Sequence, residues 1–270
     1  MSYRVTTTSD LSYGEHPLHK LDLYRPDIPG EVPVVLYLHG GGWQVGDKTA
    51  DSKERLERLA SHGVAVASAN YRLVPDHRYP AQVHDAKRAV AWLRERGSAL
   101  GLATELVGVW GASAGGYLAT MLGVTNDDAE LVGGVDPARA RVDVVVDWFG
   151  QSDLQSNSQR SWLEKEVLAP PFEKQFLDLE DPSAGGELVA AASPRRRVTG
   201  NEPPFLIVHG DRDRITPIHE SATLHEALVR AGAQSTFVTL GGAGHESHTF
   251  DRPDHIAMTA AFLLQHLTAR

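Results

Sequence analysis

The chain has no cysteine, so disulfide bonds and thiolate metal sites are excluded from the start. It has no apolar run near the roughly 18 residues that a membrane-spanning helix requires, and we expect no transmembrane segment. The N-terminal stretch MSYRVTTTSDLSYGEHP is polar and lacks the apolar region of a secretory signal. We therefore expect a cytoplasmic protein without a membrane partner.

Basic residues are also fewer than acidic ones. Lysine and arginine total 26 against 35 aspartates and glutamates, which leaves a net charge of −9 over 270 residues. This balance disfavours nucleic acid and anionic membrane surfaces as partners. The arginine run 195–197 is too short to change that expectation, and we interpret it as a solvated loop. No spacing of His, Asp and Glu resembles a metal site, so we expect no metal.

Hydrophobic residues make up 41% of the chain, which suits one domain with a well-filled core. A half-buried strand is predicted at 19–26, and from about residue 33 onwards continuous apolar runs alternate with amphipathic helical patterns. The later strands are predicted at 33–40, 64–71, 105–110, 141–150, 203–210 and 234–242, and helices at 50–63, 79–101 (from about Ala81), 216–232 and 253–267. This alternation predicts an α/β fold with a mostly parallel sheet and helices on both faces.

The segment 151–202 breaks the alternation. It has no strand pattern and carries two short helical patterns, RSWLEKEVL and FEKQFLDLE, between proline, glycine and polar residues. A loop-rich insertion of this length is typical of a lid or cap. We therefore predict a single domain over 1–270 with a lid insertion at 151–202.

The stretch VGVWGASAGGYLATML, residues 107–122, places Ser113 on a hinge where only small neighbours occur. A chain that turns sharply from strand to helix is crowded, which explains the small residues. Such a turn lifts the serine hydroxyl above the sheet and points a helix N-terminus at it. Gly111-Ala112-Ser113-Ala114-Gly115 matches the G-x-S-x-G nucleophile elbow. The alternative is a glycine-rich turn with a helix-capping serine.

Four motifs follow predicted strands: HGGGW (39–43), the elbow, HGDRDRITP (209–217) and GGAGHES (241–247). A parallel sheet brings such loops to one edge, where ligands bind. A serine hydroxyl is a poor nucleophile unless an adjacent base takes its proton and a carboxylate orients that base. His245 and Asp213 supply these groups in the chain order Ser, Asp, His that is expected of an α/β-hydrolase.

Attack on an ester carbonyl also needs backbone N–H groups that already point at the developing oxyanion. The glycine run at 40–42 lets the main chain approach a ligand closely. We predict an oxyanion hole built from the N–H groups of Gly41, Gly42 and Ala114.

Each assignment has a competitor nearby. Asp211 competes with Asp213, but the HG-x-x-D spacing favours Asp213, and Asp211 is expected to cap the turn. His248 competes with His245, whose flanking Gly-Ala-Gly frees the loop to aim it. His39 and His209 are expected to play structural roles.

Aromatic residues near the same sheet edge are candidates for the substrate pocket. We predict that Trp43, Trp148 and Phe149 line it, with ordinary core packing as the alternative. Arg72 and Asp85 are expected to form an internal polar contact that supports the site.

Taken together, the motifs resemble α/β-hydrolases of the hormone-sensitive-lipase-like group, near the feruloyl-esterase-like carboxylesterases. The matching stretches are HGGGW with GDK (39–48), NYRLVPDHRYPAQVHDAKRAVAWL (70–93), GASAGG (111–116), DWFG with Asp153 (147–153), HGDRD (209–213) and GAGHES (242–247), and the likeness runs from about residue 20 to the C-terminus. The resemblance implies Ser113 as nucleophile, His245 as base, Asp213 as orienting acid and no cofactor.

Two departures from the family pattern shape the expected function. Larger lipase-like relatives carry an N-terminal cap before HGGG, and only 38 residues precede it here, so we expect no such cap. Arylformamidase relatives tend to carry an aromatic residue at the position of Gly42. We expect a serine hydrolase with an open site for small-molecule esters of short or compact aromatic acids, as a monomer or homodimer. Amide hydrolysis is the first alternative, and acyl transfer, cyclisation or ligand binding without catalysis is the second.

Overall fold

A computed structural model describes residues 2–50, 52–158, 161–163 and 172–268. Eight strands form one sheet in the order β1-β2-β4-β3-β5-β6-β7-β8. Their bounds are β1 Val5–Ser12, β2 Lys20–Pro26, β3 Val32–Leu38, β4 Ala65–Ala69, β5 Leu102–Ala112, β6 Val144–Trp148, β7 Phe205–Gly210 and β8 Ser235–Leu240. β2 runs antiparallel to both of its neighbours, and each pair from β4 across to β8 is parallel. The predicted mostly parallel sheet is therefore confirmed.

Strand β1 was not predicted from the sequence. It lies at the edge of the sheet, and the side chains of its VTTTSDLS stretch are exposed or half-buried. Apolar alternation reports burial on one face, and an edge strand with little burial on either face has no such pattern. Polar side chains and the break in register between Thr8 and Leu11 also make β1 a poor template for further strands.

Helices lie on both sides of the sheet. Their bounds are α1 Arg58–Ala60, α2 Ala81–Arg96, α3 Ala114–Val124, α4 Leu154–Ser158, α5 Phe172–Leu177, α6 Glu187–Ala191, α7 His219–Ala231 and α8 Pro253–Leu267. The long helix predicted at 79–101 is α2, followed by a 3-10 turn at Gly97–Leu100. The helix predicted at 50–63 is instead a π-helical turn at Ser52–Glu57 that runs into the short α1.

The side chains of β3 divide the core into two layers. Val34 and Leu36 point to the layer that holds α2, α3 and α7, whereas Val35 and Tyr37 point to the layer that holds α1 and α8. Alternation along a strand that is covered on both faces produces this division. None of the helices in the described part of the chain is long and apolar enough to cross a membrane.

The segment 151–202 contains α4, α5 and α6 with 3-10 turns at Pro182–Ala184 and Pro194–Arg197, and its described residues include no strand. Of the RSWLEKEVL pattern, only 161–163 lie within the described residues. The start of the segment is fixed to α7, because the buried Glu220 carboxylate accepts hydrogen bonds from the backbone N–H groups of Ser152 at 2.9 Å and Asp153 at 2.8 Å. The role of this segment as a lid stays a prediction.

Candidate active site

Ser113 occupies a sharp turn between the end of β5 and the start of α3. Its backbone has φ +55° and ψ −118°, a positive-φ conformation that residues other than glycine seldom adopt. The turn is held from the neighbouring strand, since the Ser113 N–H donates to the Trp148 carbonyl at 2.9 Å. Strain of this kind persists only where the surroundings enforce it, and it concentrates at functional sites.

The small residues of the elbow are required by close backbone contacts. A Cβ atom on Gly111 would lie 2.1 Å from the Gly115 carbonyl oxygen, and one on Gly115 would lie 1.9 Å from the carbonyl oxygen of Leu38 at the end of β3. A Cβ atom on Gly116 would lie 2.4 Å from Oδ1 of Asp147. The crowding inferred from the sequence is therefore present. The glycines allow α3 to pack closely against β3 and β6.

Ser113, His245 and Asp213 are joined in a hydrogen-bonded chain. Ser113 Oγ lies 2.8 Å from His245 Nε2, and His245 Nδ1 lies 2.6 Å from Asp213 Oδ2. The carboxylate only accepts hydrogen bonds, so this network assigns the imidazole proton to Nδ1 and leaves Nε2 to accept from the serine hydroxyl. This is the tautomer that a general base for Ser113 requires.

The Asp213 carboxylate is almost fully buried but well supplied with donors. Oδ1 accepts from the backbone N–H groups of Ile215 and Thr216, each at 2.9 Å, and His209 Nε2 lies 3.2 Å from Oδ2. Burial alone raises the pKa of a carboxyl group, but hydrogen bonds from His209 and His245 outweigh it and lower the pKa of Asp213 to about 2. The Asp213 carboxylate is therefore ionised at neutral pH.

The competing residues lie elsewhere. Asp211 is exposed, and its carboxylate accepts the Gly242 N–H at 2.6 Å, which is the turn-capping role expected for it. His248 is exposed. His209 is buried and holds a structural position, with its ring between Ser221 Oγ at 2.7 Å and the Thr216 carbonyl at 2.8 Å. Its contact with Asp213 was not predicted.

The glycine loop passes directly over the elbow. A Cβ atom on Gly40 would lie 3.4 Å from the Cβ atom of Ser113. Gly41 and Gly42 have φ values of +113° and +59°, which a side chain rarely permits. His39 organises this loop as expected, since its ring stacks on Tyr71 at 4.4 Å and its Nδ1 lies 2.7 Å from the Gly40 carbonyl.

Ala114 offers a further backbone donor. It is the first residue of α3, so its N–H has no carbonyl one turn earlier in the helix to accept it. The backbone groups predicted for the oxyanion hole thus come from two segments that the fold brings to the same edge of the sheet.

Helix α5 of the insertion covers the glycine loop. A Cβ atom on Gly42 would lie 2.8 Å from the ring of Phe172, which is half-buried. The next loop residue, Trp43, is fully buried and stacks on Phe176 at a centroid distance of 4.1 Å, with Tyr117 of α3 against its edge at 5.1 Å. These contacts could not be predicted from the sequence, because α5 meets the loop only through tertiary packing.

The aromatic residues predicted for the pocket are placed differently from one another. Phe149 is fully buried with its ring centroid 4.9 Å from that of His245, so it borders the hydrogen-bonded chain. Trp148 is also fully buried, and its ring packs against Trp110 at 4.9 Å and Phe250 at 5.5 Å. Trp148 therefore lies in the core, as the packing alternative for it proposed.

The polar contact expected behind the site is present. Arg72 Nη2 donates to Asp85 Oδ1 at 2.6 Å, and His19 Nε2 lies 2.9 Å from the same oxygen. Among the described residues, no cluster of three or more His, Asp or Glu side chains is arranged to hold a metal ion.

The sheet order, the elbow and the loops at its carboxyl edge define the α/β-hydrolase fold. The model of the BD-FAE family matches residues 21–228, and the chain belongs to this family. A truncated form of a carbohydrate esterase from gut microbiota has a similar structure, with a TM-score of 0.84 and 27% sequence identity over 99% of this chain and 98% of that chain.

Sequence relatives are named as esterases. Esterase LipC of Mycobacterium tuberculosis is 35% identical over 247 residues, which cover 86% of this chain and 58% of LipC. An ethyl acetate hydrolase of Pseudomonas putida is 29% identical over 287 residues, which cover 96% of this chain and 83% of that protein. The chain thus spans less than two thirds of LipC and most of the ethyl acetate hydrolase.

Proposed function

We propose that the protein is a serine hydrolase that cleaves carboxylic esters of short-chain or compact aromatic acids through an acyl-enzyme on Ser113. The observation that carries the proposal is the hydrogen-bonded chain from Ser113 Oγ through His245 to Asp213, with distances of 2.8 and 2.6 Å. A protein that only binds ligands does not need a base poised on a strained serine. The esterase names of the relatives support the same reaction.

In the first half of the reaction, Ser113 Oγ attacks the ester carbonyl carbon while its proton passes to His245 Nε2. The carbonyl π electrons move to the oxygen, and the N–H groups of Gly41, Gly42 and Ala114 stabilise the resulting oxyanion. The intermediate collapses when the bond to the alcohol oxygen breaks. His245 returns the proton to that oxygen. The alcohol then departs, and the acyl group remains bound to Ser113 as an ester.

In the second half, water takes the place of the alcohol. His245 removes a proton from the water as it attacks the acyl carbon, and then delivers the proton to Ser113 Oγ as the acid departs. Asp213 stabilises the imidazolium in both halves, and its low pKa keeps the carboxylate ionised while it does so. No cofactor is required by these steps.

The substrate class is proposed from the walls of the site and from the relatives. Phe149 beside His245 and Phe172 beside Gly42 are the aromatic groups that would flank a bound acyl group. Acetate is the acid in the name of the ethyl acetate hydrolase, and a short acyl group is what we propose here. The cytoplasmic location and the monomeric or homodimeric state stay predictions from the sequence.

The test is a panel of p-nitrophenyl esters with acyl chains from two to twelve carbons, an aromatic acyl ester and a matching anilide. We expect the highest kcat/KM on short or aromatic acyl groups. We expect Ser113→Ala to lower kcat by about 10⁴-fold or more, and to abolish labelling by a fluorophosphonate, with the fold retained. Ser98→Ala, on the surface near Thr104, is the matched control.

Three outcomes count against the proposal. Turnover retained in Ser113→Ala would mean that the nucleophile is another residue. An optimum at ten or more carbons would contradict the short-acyl class. Preference for the anilide over the ester would favour amide hydrolysis on the same three residues.

A further inference from the structure

One arginine lies buried behind the candidate active site. Arg55, in the π-helical turn Ser52–Glu57, has a side chain that is only 1% exposed. A buried charge is costly unless it is paired and hydrogen-bonded. Its partners therefore indicate which part of the structure the buried charge stabilises.

Two acidic partners of Arg55 in the described part of the chain belong to the segment that carries His245. Nη2 donates to Glu246 Oε2 at 3.0 Å, and Nε donates to Asp251 Oδ1 at 2.7 Å. These partners are 191 and 196 residues away in sequence. The planar guanidinium group thus binds Glu246, the residue after His245, and Asp251, which is five residues further along the chain.

Two further contacts of Arg55 lead to the sheet. Nη1 donates to the Tyr37 hydroxyl at 3.1 Å, which ties the guanidinium to β3. Its plane also lies over the Trp148 ring, with Cζ 5.1 Å from the centroid. The backbone carbonyl of Trp148 accepts the Ser113 N–H. Arg55 therefore connects the His245 segment to the strand that supports the nucleophile.

Glu246 has a conformation that needs such support. Its φ is +51°, in the left-handed region, immediately after His245. Its second oxygen, Oε1, would lie 3.2 Å from a Cβ atom on Gly40, so the carboxylate stands between the His245 segment and the glycine loop. A change in the Glu246 backbone moves His245 directly, since the two residues share a peptide bond.

We propose that Arg55 is a positioning residue for His245, an inference that rests on the proposed esterase function. Through Glu246 and Asp251 it holds the imidazole at the distance from Ser113 Oγ that proton transfer requires. It acts on the reaction through these carboxylates and does not contact substrate. A misplacement of about 1 Å in a catalytic group costs on the order of a hundredfold in rate, so the effect is measurable.

Arg55→Lys is the informative substitution. Lysine keeps the positive charge but has no planar fork, so it cannot bind Glu246, Asp251 and Tyr37 together. We expect kcat for p-nitrophenyl acetate to fall by about tenfold to a hundredfold, with little change in KM. The rate of Ser113 labelling by a fluorophosphonate should fall in parallel, since it reports the Ser113–His245 pair without the hydrolytic step.

Glu246→Gln and the double variant test the route of the effect. We expect Glu246→Gln to lower kcat in the same direction, and the double variant to lose much less than the product of the two single losses. Arg94→Lys is the matched control, because Arg94 is a partly buried arginine of α2 that donates to the Thr104 carbonyl at 2.9 Å, near the end of β5 opposite to Ser113. We expect its kcat to match the wild type, whatever its stability.

The outcomes separate this inference from the function on which it rests. If the wild type hydrolyses esters and both single variants keep kcat within about twofold, or if their losses multiply, the positioning role is wrong. If Arg55→Lys does not fold, Glu246→Gln decides alone, and an unchanged kcat overturns the inference. A wild type with neither ester hydrolysis nor fluorophosphonate labelling contradicts the proposed function itself.

Discussion

Asp147 is a buried carboxyl group whose ionisation destabilises the fold. It lies on β6 beneath α3, and its Oδ1 accepts the Gly150 N–H at 2.9 Å. Burial raises its pKa from 3.8 to about 6, because this hydrogen bond and the nearby His209 only partly offset the loss of hydration. We therefore predict that Asp147→Asn stabilises the protein at neutral pH.

The size and the sign of the effect follow from the two pKa values. Below pH 3.8 both the folded and the unfolded chain hold the proton, and ionisation contributes nothing. As the pH rises through 3.8 to about 6, the unfolded chain releases its proton first, so the free energy of unfolding falls. Above that window the loss is about 3 kcal/mol, since each pKa unit corresponds to about 1.4 kcal/mol.

The assay is urea unfolding of the wild type and Asp147→Asn at pH 4, 6 and 8. An amide in place of the carboxyl group also changes local hydrogen bonding, but that contribution does not depend on pH. At pH 4 the unfolded chain has already released part of its proton, so we expect the stability difference between variant and wild type to be about 2 kcal/mol more favourable to the variant at pH 8 than at pH 4. Asp27→Asn, an exposed aspartate, is the control and should give a small difference throughout.

A pH-independent difference would refute the reasoning, whatever its sign. It would mean that Asp147 ionises alike in the folded and unfolded chain and that the environment under α3 is more polar than its burial indicates.

Other substitutions probe the site and its support. Asp213→Asn should lower kcat by about 10⁴-fold, since the amide favours the wrong imidazole tautomer, whereas Asp211→Asn should change esterase kinetics little. Trp148→Ala should destabilise the fold by about 3–5 kcal/mol in urea unfolding and leave the acyl chain-length profile unchanged, because the ring lies in the core. A shifted profile would return Trp148 to the pocket. Gly115→Ala should prevent normal folding or abolish activity, as its Cβ would meet the Leu38 carbonyl oxygen at 1.9 Å; wild-type stability and turnover would contradict the crowding at the elbow.

Most of the fold follows from the apolar pattern, because buried strands and amphipathic helices differ in period. Strand β1 did not follow, since its side chains are largely exposed and carry no period. The irregular π-helical turn at Ser52–Glu57 was also missed, because a helical stripe predicts neighbours on one face without specifying which hydrogen bonds form.

For the candidate site too, some residues could be predicted from the sequence and others could not. That Ser113, Asp213 and His245 meet could be predicted because each stands in a loop directly after a strand, and the carboxyl ends of parallel strands lie at one edge of the sheet. Arg55 and Phe172 were not found. Their partners are distant in sequence, and no local pattern marks an arginine or a phenylalanine that acts only through tertiary contacts.

The packing of Phe172 against Gly42 also constrains how this protein can change through evolution. Any side chain at position 42 would begin with a Cβ atom 2.8 Å from the Phe172 ring, on a backbone whose φ of +59° already disfavours one. An aromatic residue at 42 would therefore clash with the Phe172 ring unless that ring moved or was replaced. A smaller residue at 172, arising first or together with it, would remove the clash. The two positions form an epistatic pair, and a descendant with a different residue in the glycine loop should carry its compensating change in α5, 130 residues along the chain.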